Sequence, residues 1–454
     1  MVLQLQPPLD SLAEWIRATD DAADYRLPLL VHAQRILAGE EQAGASQRYE
    51  LAVRLERWRY QHLDRHRWGD DPLGRRLAEV LDLAMNYLAG RAPRPPRWPR
   101  DAIIDASRDP ENLVRAAAAL DPGVPLEPLV RQATELTCEN FARPQAGEAA
   151  AARKRRLLLY APLYVSSHCV NHCVYCGFRY PNSIPRRHLS VTEALKQAEI
   201  LRGRGLRHIL LVAGDFPRLT GTAYFAEIIA ALSWQKIQTA VEIAPQTAAS
   251  YAELAAAGAC GVTLYQETYN EQLYALYHPR GSKASYDWRL EALERAAEAG
   301  IGRLGLGILL GLADPREDLL AMMRHAHYLH ARFPDRRLAF SLPRIHEAPA
   351  GFEPPYPVDD ETFVRLYCCL RLAFPQAELV LSTREAPELR NRLARICITQ
   401  LSAGSSTVPG GYEDGGTRQR CGGQFPVNDH RSPAEVAEWL AKAGLAVTWE
   451  IDGG

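Results

Sequence analysis

The sequence predicts an α/β chain built on a (β/α)8 barrel of the TIM type, with an all-α extension at its N-terminal side. Three observations carry this reading. Between about residues 157 and 405, eight short apolar, β-branched runs alternate with helical stretches of roughly 12–18 residues. Many of those stretches stop at a glycine, the residue that tolerates the left-handed end of a helix. No G-x-G-x-x-G opens the first helix, which counts against an open doubly wound sheet.

The elements follow in chain order. Residues 1–90 read as helical, with apolar residues at helical spacing in SLAEWIRATDDAADYRLPLLVHAQRILAG, QRYELAVRLERWRYQHL and RRLAEVLDLAMNYLAG. Trp58, His62, His66 and Trp68 sit beside Asp64, Asp70 and Asp71, so they read as a solvated helix face rather than a nucleic-acid surface. RAPRPPRWPR, 91–100, is a proline-rich connector. The expected division is a helical domain over 1–95, a helical lead-in over 96–156, the barrel over 157–410 and a C-terminal segment over 411–454 with a terminal helix and short strand. The barrel strands are LLLYAPLYV, HILLVAG, QTAVEIA, GVTLYQE, RLGLGILLG, LAFSLPR, ELVLST and ITQLSAG. Helices such as VTEALKQAEILRGRG, WRLEALERAAEAG and DETFVRLYCCLRLAF connect them.

The 454 residues carry a formal net charge of −1, which argues against a dedicated nucleic-acid or membrane-surface binder. No long apolar run suggests a membrane span, and no charged-then-apolar start suggests a signal peptide. Nine cysteines in a chain this long do not resemble a secreted disulfide framework, so a reducing cytoplasm is the expected setting. Cys138, Cys260, Cys368, Cys369, Cys397 and Cys421 are scattered, mostly in apolar runs where buried, inert thiols are expected.

The other three cysteines are concentrated. Cys169, Cys173 and Cys176 stand as C-x3-C-x2-C just beyond the first strand. Three thiolates on one loop can hold three irons of a cubane and leave the fourth open, whereas zinc sites favour four ligands in paired knuckles. Polar residues also gather where barrel strands end, the side on which such folds place their active sites. The second strand ends in Ala213-Gly214-Asp215, the third at Glu242, and the fourth in Tyr265-Gln266-Glu267-Thr268-Tyr269-Asn270. His278 lies in a Pro/Gly loop and Arg289 near a helix start. The sixth strand supplies Ser341 and Arg344, and an arginine there can grip a carboxylate through paired hydrogen bonds.

The cysteine loop resembles that of the radical S-adenosylmethionine (SAM) superfamily. Further stretches (LYQETYNEQLY, HPRGSKASYDWRLEALERAAEAGI, SLPR, LSTREAPELRNRL and SAGSSTVPGGYED) make the chain, from about residue 101 to 450, similar to that superfamily's aromatic amino-acid lyases. These comprise the 2-iminoacetate synthases of thiamine biosynthesis and the tyrosine lyases of FeFe-hydrogenase maturation. The resemblance implies a 4Fe-4S cluster on Cys169, Cys173 and Cys176, with SAM on the open iron. It implies that Tyr175 flanks the adenine and that Ala213, Gly214, Asp215, Glu242 and Arg289 surround SAM. Close relatives carry Glu where Asp215 stands. It further implies that His278, Ser341 and Arg344 contact L-tyrosine, whose Cα–Cβ bond breaks to give 2-iminoacetate and p-cresol. A reductant such as flavodoxin or ferredoxin is implied, and the water-labile imine suggests an acceptor protein. The stretch QFPVNDHRSPAEVAEWLAKAGLAVTWEIDGG contains no cysteine, so the maturase's second cluster is not expected. Two alternatives stand beside this reading. One is a lyase acting on another amino acid such as tryptophan, or serving hydrogenase or natural-product assembly. The other is a non-catalytic iron–sulfur scaffold.

Overall fold

The computed structural model describes residues 27–44, 105–143, 153–348, 351–413 and 422–450, with a few single positions between 47 and 103. The connector at 91–100, the cluster of Trp58, His62, His66 and Trp68, and Cys421 lie outside the described residues. Two compact units are present, one of residues 1–105 with 246–251 and one of the remainder. In the first, helix α1 (Leu27–Leu37) buries Ala33 and Ile36, three residues apart and so on one helical face.

The second unit is the barrel. Its strands are β1 (Lys154–Ser166), β2 (His208–Ala213), β3 (Gln238–Glu242), β4 (Ala259–Thr263), β5 (Arg303–Gly307), β6 (Arg337–Ser341), β7 (Glu378–Leu381) and β8 (Gln400–Ser402). Each pairs in parallel with the next. Closure comes from β1 against β8, with Leu158 opposite Gln400 and Tyr160 opposite Ser402. The predicted strand order is therefore the observed one. A last strand, β9 (Ala446–Thr448), adds in parallel to the start of β1. Continuous apolar runs suit these strands because both faces are covered, outside by helices and inside by the barrel's own side chains.

The helices start where the sequence places caps. Helix α2 (Val191–Gly203) opens with a capping box of Ser190 and Glu193, and α3 (Pro315–Arg332) with Asp314 accepting from the amides of Arg316 and Glu317. The lead-in forms helices Glu111–Ala119 and Leu126–Phe141, which pack on α4 (Asp360–Ala373). Arg365 of α4 donates to the carbonyls of Ala119 and Val124 at 2.9 and 2.8 Å, satisfying acceptors around the end of the first of these helices.

Two expectations need correction. WRLEALERAAEAG forms two short helices, Tyr286–Leu290 and Ala292–Glu298, broken at Glu291. The break is held by fully buried Arg295, which stacks on the Trp288 ring at 3.6 Å and donates to the Trp288 carbonyl at 2.6 Å. Of the scattered cysteines, Cys368, Cys369 and Cys397 are buried as expected, but Cys260 is only partly so and Cys138 is exposed. No helix among the described residues is long and apolar enough to cross a membrane.

Candidate active site

The cysteine loop leaves the top of β1 and is pinned by its own backbone. Val170 donates to the carbonyl of Asp215 at 2.8 Å, His172 to that of Arg280 at 3.2 Å and Val174 to that of Tyr277 at 3.2 Å. Asn171 joins three segments. Its Nδ2 donates to Asp215 Oδ2 at 3.1 Å, while its Oδ1 accepts from the Lys283 amide at 2.9 Å and the Ser282 hydroxyl at 3.2 Å. The single Ser282 hydroxyl hydrogen is shared between Asn171 and Asp215, with Asp215 the nearer acceptor.

Gly214 is required by this assembly. A Cβ there would run into the carbonyl oxygen of His168, so the glycine lets the cysteine loop lie against the end of β2. Ala213 sits beside it, paired with Ser166. Asp215 is committed to Asn171 and Ser282, and burial raises its carboxyl above the usual range.

Cys173 and Cys176 are buried against Tyr164, Phe178, Tyr277 and Phe425, with Cys169 partly exposed at the edge. Burial and the neighbouring thiols push Cys173 up to about 11 and Cys176 to about 12. As free thiols they therefore stay protonated at neutral pH, and a bound cation is what would hold them as thiolates. Among the described residues no three Cys, His, Asp or Glu side chains converge on a single ion. The three cysteines share one loop, Cys173 and Cys176 in one buried cluster and Cys169 packed against it, which suits a cluster in which each sulfur binds its own iron. The donor set thus fits a three-cysteine cubane.

Beside the loop lies a chain of polar groups. The Tyr175 hydroxyl is 2.7 Å from His278 Nε2, with the two rings edge to face. Lys283 Nζ donates to the same hydroxyl at 3.1 Å and to Glu267 Oε1 at 2.6 Å. Arg289 reaches Glu267 Oε1 at 3.3 Å and the Tyr265 carbonyl at 2.6 Å. Glu267 holds a left-handed backbone, φ = 73°, which turns its carboxylate back between the two cations. The rim of the fourth strand was legible as polar, yet Glu267 and Lys283 were not singled out. The signal available was a carboxylate in a strand-end run and a lysine in the loop that follows.

The remaining predicted residues divide. Glu242 closes β3, and burial raises its carboxyl to about 7, opposed by the charge of Arg384. Ser341 closes β6 and lines the same small cavity as Tyr265. Arg344 does not join this group. Its Nε and Nη2 meet Glu385 at 3.3 and 2.5 Å, Nη2 also meets Asp360 at 2.8 Å, and Nη1 donates to the Val358 carbonyl at 2.8 Å. Arg384, at the end of β7 and missed in the sequence, lies over the Phe425 ring at 3.6 Å with no carboxylate within ion-pair distance among the described residues.

The cysteine loop lies within the stretch matched to a known family. Residues 163–326 match the family model of the radical SAM superfamily, and residues 341–446 that of the biotin and thiamin synthesis associated domain. The 2-iminoacetate synthase of Salmonella typhimurium is 35% identical over 345 residues, 76% of this chain and 87% of that protein. That of Escherichia coli is 36% identical over 326 residues, 72% of this chain and 82% of that protein. Among solved structures, the FeFe-hydrogenase maturase HydG from Carboxydothermus hydrogenoformans is 30% identical with a TM-score of 0.67, covering 90% of this chain and 86% of its own. Members of this family use a 4Fe-4S cluster and SAM. With residues 163–326 matching the superfamily model and two synthases matched over most of their length, the chain belongs to the 2-iminoacetate synthase family of radical SAM enzymes.

Proposed function

We propose that the enzyme cleaves the Cα–Cβ bond of L-tyrosine to 2-iminoacetate and p-cresol, with the imine passing to thiazole assembly for thiamine. The observation that carries this reading is the buried chain His278–Tyr175–Lys283–Glu267–Arg289 set directly against the cysteine loop, in a chain this close to two 2-iminoacetate synthases.

Cys169, Cys173 and Cys176 hold the cluster. Once bound, the cluster and SAM supply the one-electron chemistry, which is the cofactor's own. The protein's work is to position groups and exclude water. Ala213 and Gly214 form the strand end beside the cluster, and Glu242 offers a carboxyl for a ribose hydroxyl or an ammonium group. Asp215 acts through Asn171 and Ser282 by fixing the loop. Arg289 and Lys283 balance Glu267 and hold Tyr175 in place, as an adenine-flanking ring requires.

On the substrate side, His278 offers Nε2 as an acceptor, and a tyrosine phenol would compete for it with the Tyr175 hydroxyl. Ser341 supplies a hydroxyl at the end of β6. For the substrate carboxylate we favour Arg384, which makes no ion pair among the described residues, over Arg344, which Glu385 and Asp360 already engage. An external one-electron donor such as flavodoxin or ferredoxin, and an acceptor protein for the imine, complete the reading.

The test is a panel of amino acids offered to anaerobically reconstituted protein with SAM and dithionite, read as 5′-deoxyadenosine released per protein. Tyrosine should stimulate release far above tryptophan, phenylalanine or no addition. Stronger stimulation by another amino acid would replace tyrosine as substrate. No release with any of them, with the cluster intact, would leave only the scaffold reading.

A further inference from the structure

Gln424 belongs to the C-terminal segment, far in sequence from the cysteine loop, yet it contacts that loop through both backbone and side chain. Its carbonyl accepts from the Gly177 amide at 3.1 Å, and its own amide donates to the Thr407 carbonyl at 3.3 Å. On the side chain, Oε1 accepts from the Tyr164 hydroxyl at 2.7 Å and Nε2 lies 3.8 Å from Cys176 Sγ. A primary amide has two orientations, and chemistry selects this one. With the amide reversed, its oxygen would face a cluster-bound thiolate, two electron-rich atoms in contact. As placed, the Tyr164 O–H saturates the oxygen and an N–H points at the sulfur. Tyr164 is itself held in the core of β1, edge to face with Phe178 at 5.9 Å, so the carboxamide is oriented by a rigid neighbour.

We propose that Gln424 sets the reduction potential of the cluster by donating an N–H···S hydrogen bond to the Cys176 thiolate, with Tyr164 as the residue that aims it. The inference rests on the assignment of Cys169, Cys173 and Cys176 as cluster ligands. Reduction adds one electron from an external low-potential donor, with no bond made or broken, and part of the added charge spreads onto the cysteine sulfurs. A donor at one sulfur therefore stabilises the reduced cluster more than the oxidised one and raises the potential. The enzyme thereby couples its C-terminal segment to the ease with which the cluster accepts its electron. Seating of residues 424–425 against the loop becomes a condition of efficient reduction. Phe425, packed among the same residues as Cys173 and Cys176, is the apolar part of that seat.

The experiment is a potentiometric titration of reconstituted holoenzyme monitored by electron paramagnetic resonance, on wild type, Gln424→Leu, Gln424→Asn and Tyr164→Phe, each with iron and sulfide measured. Gln424→Leu removes the donor at similar volume and should shift the midpoint to more negative potential at unchanged iron content. Gln424→Asn keeps the amide but withdraws it by one methylene, and should shift the same way. Tyr164→Phe frees the carboxamide to rotate and should give a smaller shift in that direction. Should Gln424→Leu fail to load a cluster, Gln424→Asn carries the decision. Midpoints and spectra of loaded Gln424 variants that coincide with wild type would overturn the inference. A wild-type protein that takes up no cluster would overturn the ligand assignment on which it rests, and the iron measurement separates the two failures.

Discussion

The Tyr175 hydroxyl and His278 Nε2, 2.7 Å apart, form the middle of a hydrogen-bond chain whose direction can be read without seeing a proton. His278 Nδ1 lies 2.8 Å from the Tyr274 carbonyl, which only accepts, so Nδ1 carries the hydrogen. Nε2 must then accept from Tyr175, and the Tyr175 oxygen accepts from Lys283. Burial and the charges of Lys283 and Arg289 hold the imidazole down to about 2, so it stays neutral at any working pH.

Tyr175→Phe keeps the ring but strands both Nε2 of His278 and one N–H of Lys283. An unsatisfied buried acceptor costs about 1–3 kcal/mol. Urea unfolding should show a loss of that size, together with weaker SAM binding. Unchanged stability would mean that the chain is not closed as described.

Glu267→Gln leaves Lys283 and Arg289 side by side without their shared carboxylate. Removing one partner of a buried ion pair costs about 3–5 kcal/mol, and these side chains are only 15% and 8% exposed. Thermal unfolding should show a large loss, and SAM-dependent turnover should fall with it. A variant as stable as wild type would contradict the placement of Glu267 between two cations.

Gly214→Ala places a methyl group against the His168 carbonyl oxygen. Backbone cannot yield as a side-chain tip can, so the cysteine loop should lift from β2. The measurement is iron per chain after anaerobic reconstitution, expected to fall well below wild type. Full loading would show that the loop tolerates displacement.

Arg384→Met and Arg344→Met separate the two candidate carboxylate partners. Loss of a charge-assisted hydrogen bond costs about 1.5–3 kcal/mol, so Arg384→Met should raise KM for tyrosine by about 10- to 150-fold with little change in stability. Arg344→Met should instead destabilise the fold, because it strips Glu385 of its main partner and leaves His346 at 2.9 Å. The reverse pattern would return the carboxylate to Arg344.

His325 provides a test of pH dependence away from the site. It is buried with Nδ1 at 2.8 Å from the Tyr269 hydroxyl, and burial lowers it from 6.5 to about 3. The unfolded chain therefore binds a proton that the folded chain refuses, and stability falls as pH drops below about 6.5. The slope is about 1.4 kcal/mol per pH unit. His325→Gln should be less stable than wild type at pH 8, with the gap narrowing on acidification. Parallel stability curves would contradict the assignment.

The barrel was legible because its signal is local and repeated. Each strand is a short apolar run and each following helix carries its own stop or cap, as with Ser190 and Glu193. The cysteine loop was legible from spacing alone. What spacing cannot show is which side chains a loop meets across the fold. Arg344 carries the right chemistry at a strand end, but its partner Glu385 is 41 residues away, and only folding reveals that the guanidinium is engaged. Gln424 is 248 residues from Cys176, and nothing in its local sequence marks it. Glu267 was hidden for a different reason. Its role depends on a left-handed backbone, which a residue other than glycine does not advertise.

The most direct test of the central claim is product analysis with tyrosine carrying 13C at Cα, incubated anaerobically with reconstituted protein, SAM and dithionite. Scission of Cα–Cβ predicts unlabelled p-cresol and 13C-glyoxylate, the hydrolysis product of 2-iminoacetate, formed together with 5′-deoxyadenosine and all absent in Cys173→Ala. Deoxyadenosine released without p-cresol, from protein with a full cluster, would contradict it.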